Sequence, residues 1–333
     1  MKTQAKPKLK LTKRARKEEL QFFAYISPWI IGFLLFTVVP LLSSVLFAFF
    51  DFTKVDLAMG NPLKFVGFRN FSDILLGKDS HFWQAVGNTF FYAFVRVFVG
   101  FAISFIFAIL LNRDLKLKKL FRVLVYVPAI IPMVGSALVW RGLFDERFSF
   151  FNYLLNYIGI PPVAWATDNA MGSVLLMSIW CGIGPTMIII LASLQNVPQE
   201  LLEAADIDGA NVWHKYTKIV LPLISPTVLY ILVTGFIGCL QAYAEFDLVT
   251  GGGPGYDTTT MSMLVINEMN DGYGLGYACA LAWLICIIVM IFTFVFFKVS
   301  QGKVYYEEGN ENLFYDSYAK KTLHCVDKTI RIR

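Results

Sequence analysis

The side chains of this sequence that could do chemistry are few and far apart. Gly251-Gly252-Gly253-Pro254-Gly255 is a stretch of the kind that can cradle phosphate, but it lacks the Lys-Ser/Thr pair that completes such a loop. No GxxxxGK followed by Ser or Thr occurs anywhere in the chain, so it is not expected to hydrolyse ATP. Cys181, Cys239, Cys279 and Cys286 show no CxxC spacing, and His81, His214 and His324 are scattered. That pattern argues against a metal centre or a disulfide framework, and it implies no cofactor. No set of His, Asp and Glu converges as a membrane-bound enzyme would need. Two features remain: Arg96, a cation inside an apolar run, and an ordered series of small and acidic residues between 194 and 222.

The elements that position these residues are membrane spans. Of 333 residues, 56% are hydrophobic and 16% aromatic, while Asp, Glu, Lys and Arg make up only 16% and cluster between apolar runs. Six runs reach the roughly 20 residues that a helix needs to cross a bilayer. They lie near 24–50, 86–111, 120–144, 171–193, 219–241 and 278–298. The first is too long for a signal-peptide core and is followed by no small-x-small cleavage site, so it is expected to be retained. The expected fold is all-α: a polytopic membrane protein of about six transmembrane helices.

Lys and Arg set the orientation. Residues 1–23 form a basic segment, 112–122 reads NRDLKLKKLFR, and 242–277 contains no Lys or Arg. By the positive-inside rule both termini are cytoplasmic, as is 194–218, and the net charge of +5 reflects topology rather than nucleic-acid binding. The expected organisation is a basic arm over 1–23, a membrane domain over 24–300, and a polar tail over 301–333 that is expected to be disordered. The 51–85 loop is expected to form an interfacial segment, and 145–170 an irregular external connection. LVTGGGPG reads as a tight external turn.

The 194–222 loop carries the most information. Pro198 suits the start of a helix, with Glu200 and Glu203 near its positive end. Asp208 and Gly209 interrupt that helix. Val212, Trp213, Tyr216 and Ile219 form a second amphipathic element that leads into the fifth span past Pro222 and Pro226. The spacing predicts a short helix, a glycine turn and a second helix at the membrane surface.

Glu203-Ala204-Ala205, then Asp208-Gly209-Ala210, then Ile219-x-Leu221-Pro222 resembles the EAA loop of ABC-importer permeases. The resemblance extends through FVGFRNF, FRVLVYVPAIIP and LVTGGGPGYDTTT, which are features of the carbohydrate-uptake branch, close to the maltose- and glycerol-phosphate-transporter type. It implies a cytoplasmic coupling helix that docks in a groove on an ABC ATPase dimer. Glu203 would be the charged contact, Ala204 and Ala205 would allow close approach, and Gly209 would form the turn. It also implies a bacterial inner-membrane location, a second homologous permease subunit, an extracytoplasmic solute-binding protein and a sugar-like solute. ATP hydrolysis would then reside on the separate subunit.

For the solute, the resemblance points to the helices flanking this loop. There Trp180, Gln241 and Tyr243 offer an aromatic face with amide and hydroxyl partners, beside Gly182, Gly184 and Pro185, which are expected to distort the fourth span. Arg96 either meets solute or snorkels or pairs internally from the outer half of its span. The alternative function, an ion-coupled secondary transporter, calls for carboxylates at mid-membrane. Glu245 and Asp247 lie instead near the outer end of the fifth span.

Overall fold

The computed structural model describes residues 13–76, 81–145, 150–271 and 274–300, so most of the basic arm and the 301–333 tail lie outside the described residues. In chain order the helices are α1 (Lys13–Phe33), α2 (Val39–Phe47), α3 (Lys54–Met59), α4 (Arg69–Leu75), α5 (Phe82–Asn112), α6 (Lys118–Ile130), α7 (Met133–Leu143) and α8 (Phe150–Tyr157). There follow α9 (Ala170–Gln195), α10 (Gln199–Ile207), α11 (Val212–Lys215), α12 (Leu221–Leu223), α13 (Ser225–Leu240), α14 (Ala244–Val249), α15 (Met261–Asp271) and α16 (Leu275–Ser300). One two-residue hairpin pairs β1 (Phe50–Asp51) with β2 (Lys64–Phe65).

Among the described residues four helical stretches are long and apolar enough to cross a bilayer: Leu20–Phe47, Phe82–Asn112, Ala170–Gln195 and Leu275–Ser300. Two bent pairs bring the number to six. The third span, expected near 120–144, is broken: α6 and α7 meet at 97°. The cause is Pro132, which drives Ile131 into extended backbone (φ −70°, ψ 128°) and ends the helix there. The expected fifth span is bent by 76° at Ile224, between Pro222 and Pro226. The fourth span, expected to be distorted, instead runs as one helix with Pro185 inside it.

The chain divides into two units, residues 1–73 with 268–283 and residues 74–267 with 284–333. In the first, Trp29, Phe36 and Leu46 are exposed, as suits an apolar helix whose solvent is lipid. The 51–85 loop is more ordered than an interfacial segment requires. Buried Asn70 donates from Nδ2 to the Ala48 and Phe50 carbonyls at 2.9 and 3.0 Å, holding α4 against the hairpin. Gly276 sits so close to β1 that a Cβ there would lie 1.9 Å from the Phe50 carbonyl oxygen.

In the second unit α5 packs along α9, with α13 against α5 and α6 against α9. Gly184 permits the α6 contact, since a Cβ there would meet the Val125 carbonyl oxygen at 2.6 Å and the Tyr126 Cα at 2.7 Å. Two cores result. One gathers Tyr92, Trp140, Phe236, Phe246 and Met261; the other gathers Leu111, Met187, Ile190, Leu194, Val220 and Ile224 beneath the 194–222 loop. The 145–170 connection is not wholly irregular, because it contains α8. Buried Asn152 bridges to Val163 N–H and C=O and accepts from Trp165 Nε1 at 2.9 Å.

Candidate functional site

The 194–222 loop folds as helix, glycine turn and helix. Pro198 precedes α10, and Glu200 occupies its first turn, near the positive end of the helix. The other end closes with two backbone bonds: Ala210 N–H donates to the Ala205 carbonyl at 2.9 Å, and Gly209 N–H to the Asp206 carbonyl at 3.1 Å. This is a Schellman motif, with Asp208 as the C-cap and Gly209 at φ +73°. Asn211 then caps α11 by accepting from His214 N–H at 2.8 Å. A charged contact between Lys215 and Asp206 braces the corner.

The two faces of α10 differ. Leu202 packs on the core beneath the loop, and Ala205 is buried. Glu203, Ala204 and Asp208 are exposed, and Ala210 is half-buried. Ile207 is 87% and Trp213 76% exposed, so a large apolar surface adjoins the exposed carboxylates. Ala205 is therefore used inside the chain, and Ala204 is the alanine that stays exposed. Downstream, Leu221 is half-buried and exposed Pro222 opens α12. Ser193 donates to Thr227 at 2.6 Å, tying the ends of α9 and α13 behind the loop.

Arg96 is the fifteenth of the 31 residues of α5, and its side chain turns inward. Its Nη1 donates to Cys239 Sγ at 3.5 Å. A small cavity of about 40 Å³ adjoins it, lined by Ser178, Thr186, Gly182 and Gly235 among others. Four residues earlier on the same helix face, Tyr92 donates its hydroxyl to Glu245 Oε1 at 3.0 Å. The Glu245 carboxylate lies near the guanidinium. α14 packs on α7 and α9, which brings Glu245 to Tyr92. The i, i+4 spacing of Tyr92 and Arg96 was the available signal; nothing in the sequence pointed to Glu245 or Cys239.

The other solute candidates are dispersed. Trp180 packs edge-to-face on Trp140, with ring centroids 5.4 Å apart. Gln241 is exposed at the end of α13, while Tyr243 is half-buried against the core that contains Tyr92. Partial burial, then the Asp247 carboxylate beside it, push the Tyr243 phenol above its ordinary range. No described contact joins Trp180 or Gln241 to Arg96.

The Gly-rich loop is a pinned turn. Gly251, Gly252 and Gly255 have positive φ, and Thr258, Thr259 and Thr260 are buried beneath them. Thr258 and Thr259 donate to the Gly253 and Gly252 carbonyls at 2.8 and 3.1 Å, and Thr260 to Ala242 at 2.7 Å. From α5, Asn88 donates to the Tyr256 and Thr259 carbonyls, and Thr89 accepts from Met261 N–H. This anchoring was missed, because Thr-Thr-Thr shows its partners only after folding.

The comparisons bear on what this arrangement serves. Residues 100–301 match the family described as binding-protein-dependent transport system inner membrane component. Over 309 residues the chain is 34% identical to the probable ABC transporter permease protein YesP of Bacillus subtilis (strain 168), covering 91% of this chain and 97% of that one. Over 295 residues it is 30% identical to the trehalose/maltose transport system permease protein MalF of Thermococcus litoralis, covering 87% and 97% respectively. Its fold resembles a chain in the crystal structure of a bacterial alginate ABC transporter in complex with an alginate pentasaccharide-bound periplasmic protein. That likeness has a TM-score of 0.75 at 22% identity, over 88% of this chain and 98% of that one.

Proposed function

The chain belongs to the family of binding-protein-dependent transport system inner membrane components, and from that membership we propose that it is the permease half of an ATP-driven importer of saccharides. A second permease completes the pathway, a cytoplasmic ATPase dimer supplies the energy, and an extracytoplasmic binding protein delivers the solute. Both termini lie on the cytoplasmic side with the 194–222 loop.

One observation carries this reading: α10 is fixed to the bundle on one face and free on the other. Leu202 and Ala205 anchor it, while Glu203, Ala204, Ile207 and Trp213 form an exposed mixed apolar and acidic surface. Such a surface suits a partner groove, with aromatic and aliphatic anchors beside a charge. The Schellman turn at Gly209 passes the chain on through α11 and the π-helical segment Tyr216–Val220 to α13. A push on α10 is thus transmitted along the backbone to a helix that packs on α5. The carbohydrate assignment follows from the maltose-type relatives and the sequence resemblance.

The test is uptake of labelled maltose, trehalose, lactose and arabinotriose by the reconstituted complex, with the isolated chain run in parallel. The expected result is ATP-dependent import of at least one sugar by the complex and no ATP hydrolysis by the chain alone. Sugar import that persists without the ATPase but follows an imposed ion gradient would sink the reading.

A further inference from the structure

At the end of α9 remote from the 194–222 loop the second unit carries a cavity of about 440 Å³. The 26 residues of α9 place the two about 39 Å apart along the helix. Its volume falls in the range of small-molecule sites, roughly 300–1,000 Å³. Arg141 and Asp145 contribute from the end of α7, Trp165 and Thr167 from the 164–167 turn, Asp247 from α14, and Gly253 from the pinned Gly-rich loop.

We propose that this cavity is a saccharide subsite at the outer mouth of the pathway, and that it favours a neutral sugar unit over an acidic one. The inference rests on the saccharide-importer reading above and adds a place and a charge class to it. A sugar ring carries many hydroxyls and an apolar C–H face. Carboxylates accept from its hydroxyls, a guanidinium donates to its oxygens, and an indole covers the C–H face. Asp145, Asp247, Arg141 and Trp165 supply all three groups around one cavity. Among the described lining residues two carboxylates stand against one guanidinium, a balance that disfavours a uronate or a phosphate.

The walls are also held in place before any ligand arrives. Trp165 is fixed by its Nε1 bond to buried Asn152 and by packing on Phe144, with ring centroids 5.8 Å apart. Its carbonyl accepts from Ser173 at 2.8 Å. The opposite wall is the loop locked by Thr258 and Thr259. A site whose walls are already fixed loses little entropy on binding.

The experiment uses the assembled importer without its binding protein, carrying Ala166→Cys in a background with the native cysteines replaced. Ala166 is an exposed residue of the lining. Maleimide labelling of that cysteine is timed with and without maltose, lactose, arabinotriose or digalacturonate. We expect a neutral sugar that the same importer transports to slow labelling several-fold, digalacturonate to have little effect, and Asp145→Asn with Asp247→Asn to remove the protection. Unchanged labelling with every sugar, in a complex that imports one of them, overturns the subsite and leaves the importer reading intact. Slowing by added binding protein but by no free sugar also overturns it, because a protein loop then fills the cavity. Sugar protection in a complex that imports no sugar keeps the subsite and rejects the importer reading instead.

Discussion

A β-carbon placed on Gly182 would stand 3.2 Å from a terminal nitrogen of Arg96, so the guanidinium rests against a gap that the glycine leaves in α9. Charged groups within a membrane bundle face inward and find polar neighbours. Arg96 does so with the Cys239 thiol and the carboxylate of Glu245 nearby. The glycine two residues on has a different role: Gly184 admits the backbone of α6.

The two glycines therefore predict different outcomes. At Gly182 the neighbour is the flexible end of a side chain, which can shift by tenths of an ångström, so Gly182→Ala should lower the thermal midpoint little. Gly184→Ala drives a methyl into the Val125 carbonyl and Tyr126 backbone. Overpacking of that kind costs about 1–3 kcal/mol, and more where backbone must move. Thermal melts of the two variants in one detergent compare them directly. Equal midpoints would contradict the packing account.

At Gly209 the space is open and the constraint is the backbone angle, φ +73°. Gly209→Val should therefore weaken the turn by roughly 1–2 kcal/mol, through the left-handed conformation alone. Gly209→Asn should be milder, since asparagine tolerates that region. Solute-stimulated ATPase activity of the assembled complex should follow the order Gly, Asn, Val. Valine behaving like glycine would remove the turn from the coupling mechanism.

Glu203 and Leu202 are adjacent, but Leu202 packs on the core while Glu203 is exposed. Glu203→Lys should leave the chain inserted at normal abundance and abolish ATP-driven uptake. Leu202→Ala should instead destabilise the chain by about 2–5 kcal/mol or less, given its partial burial, and lower its abundance. Quantitative blotting beside uptake separates the two. Loss of the Glu203→Lys protein from the membrane would mean that the loop serves folding rather than docking.

Asp257 belongs to the loop that α5 holds at its start through Gln84, at 3.1 Å, whereas Lys116 follows the end of α5. The 31 residues of α5 span about 46 Å, more than a bilayer core. Cysteines placed at these positions should react with impermeant maleimide from opposite sides, Asp257→Cys from outside and Lys116→Cys from inside. Reaction of both from one side would refute the six-span orientation.

Much of this was legible in the sequence because membrane insertion is a local rule. A run of about 20 apolar residues must span, and its flanking lysines orient it. The helix, glycine turn and helix of 194–222 were equally local, since Pro198 fixes its own backbone angle at the start of α10 and Gly209 takes the left-handed angle that ends it. The bends were not foreseen, although Pro132 and the Pro222–Pro226 pair were visible, because proline in a membrane helix can be absorbed or can break it. Pro185 was absorbed in α9, whereas Ile131–Pro132 became a 97° corner. Which outcome occurs depends on whether neighbouring helices satisfy the freed carbonyls. Likewise no sequence rule joins Tyr92 to Glu245 or Trp165 to Asn152. Those pairs join residues 153 and 13 positions apart, and only three-dimensional packing brings such groups within hydrogen-bond reach.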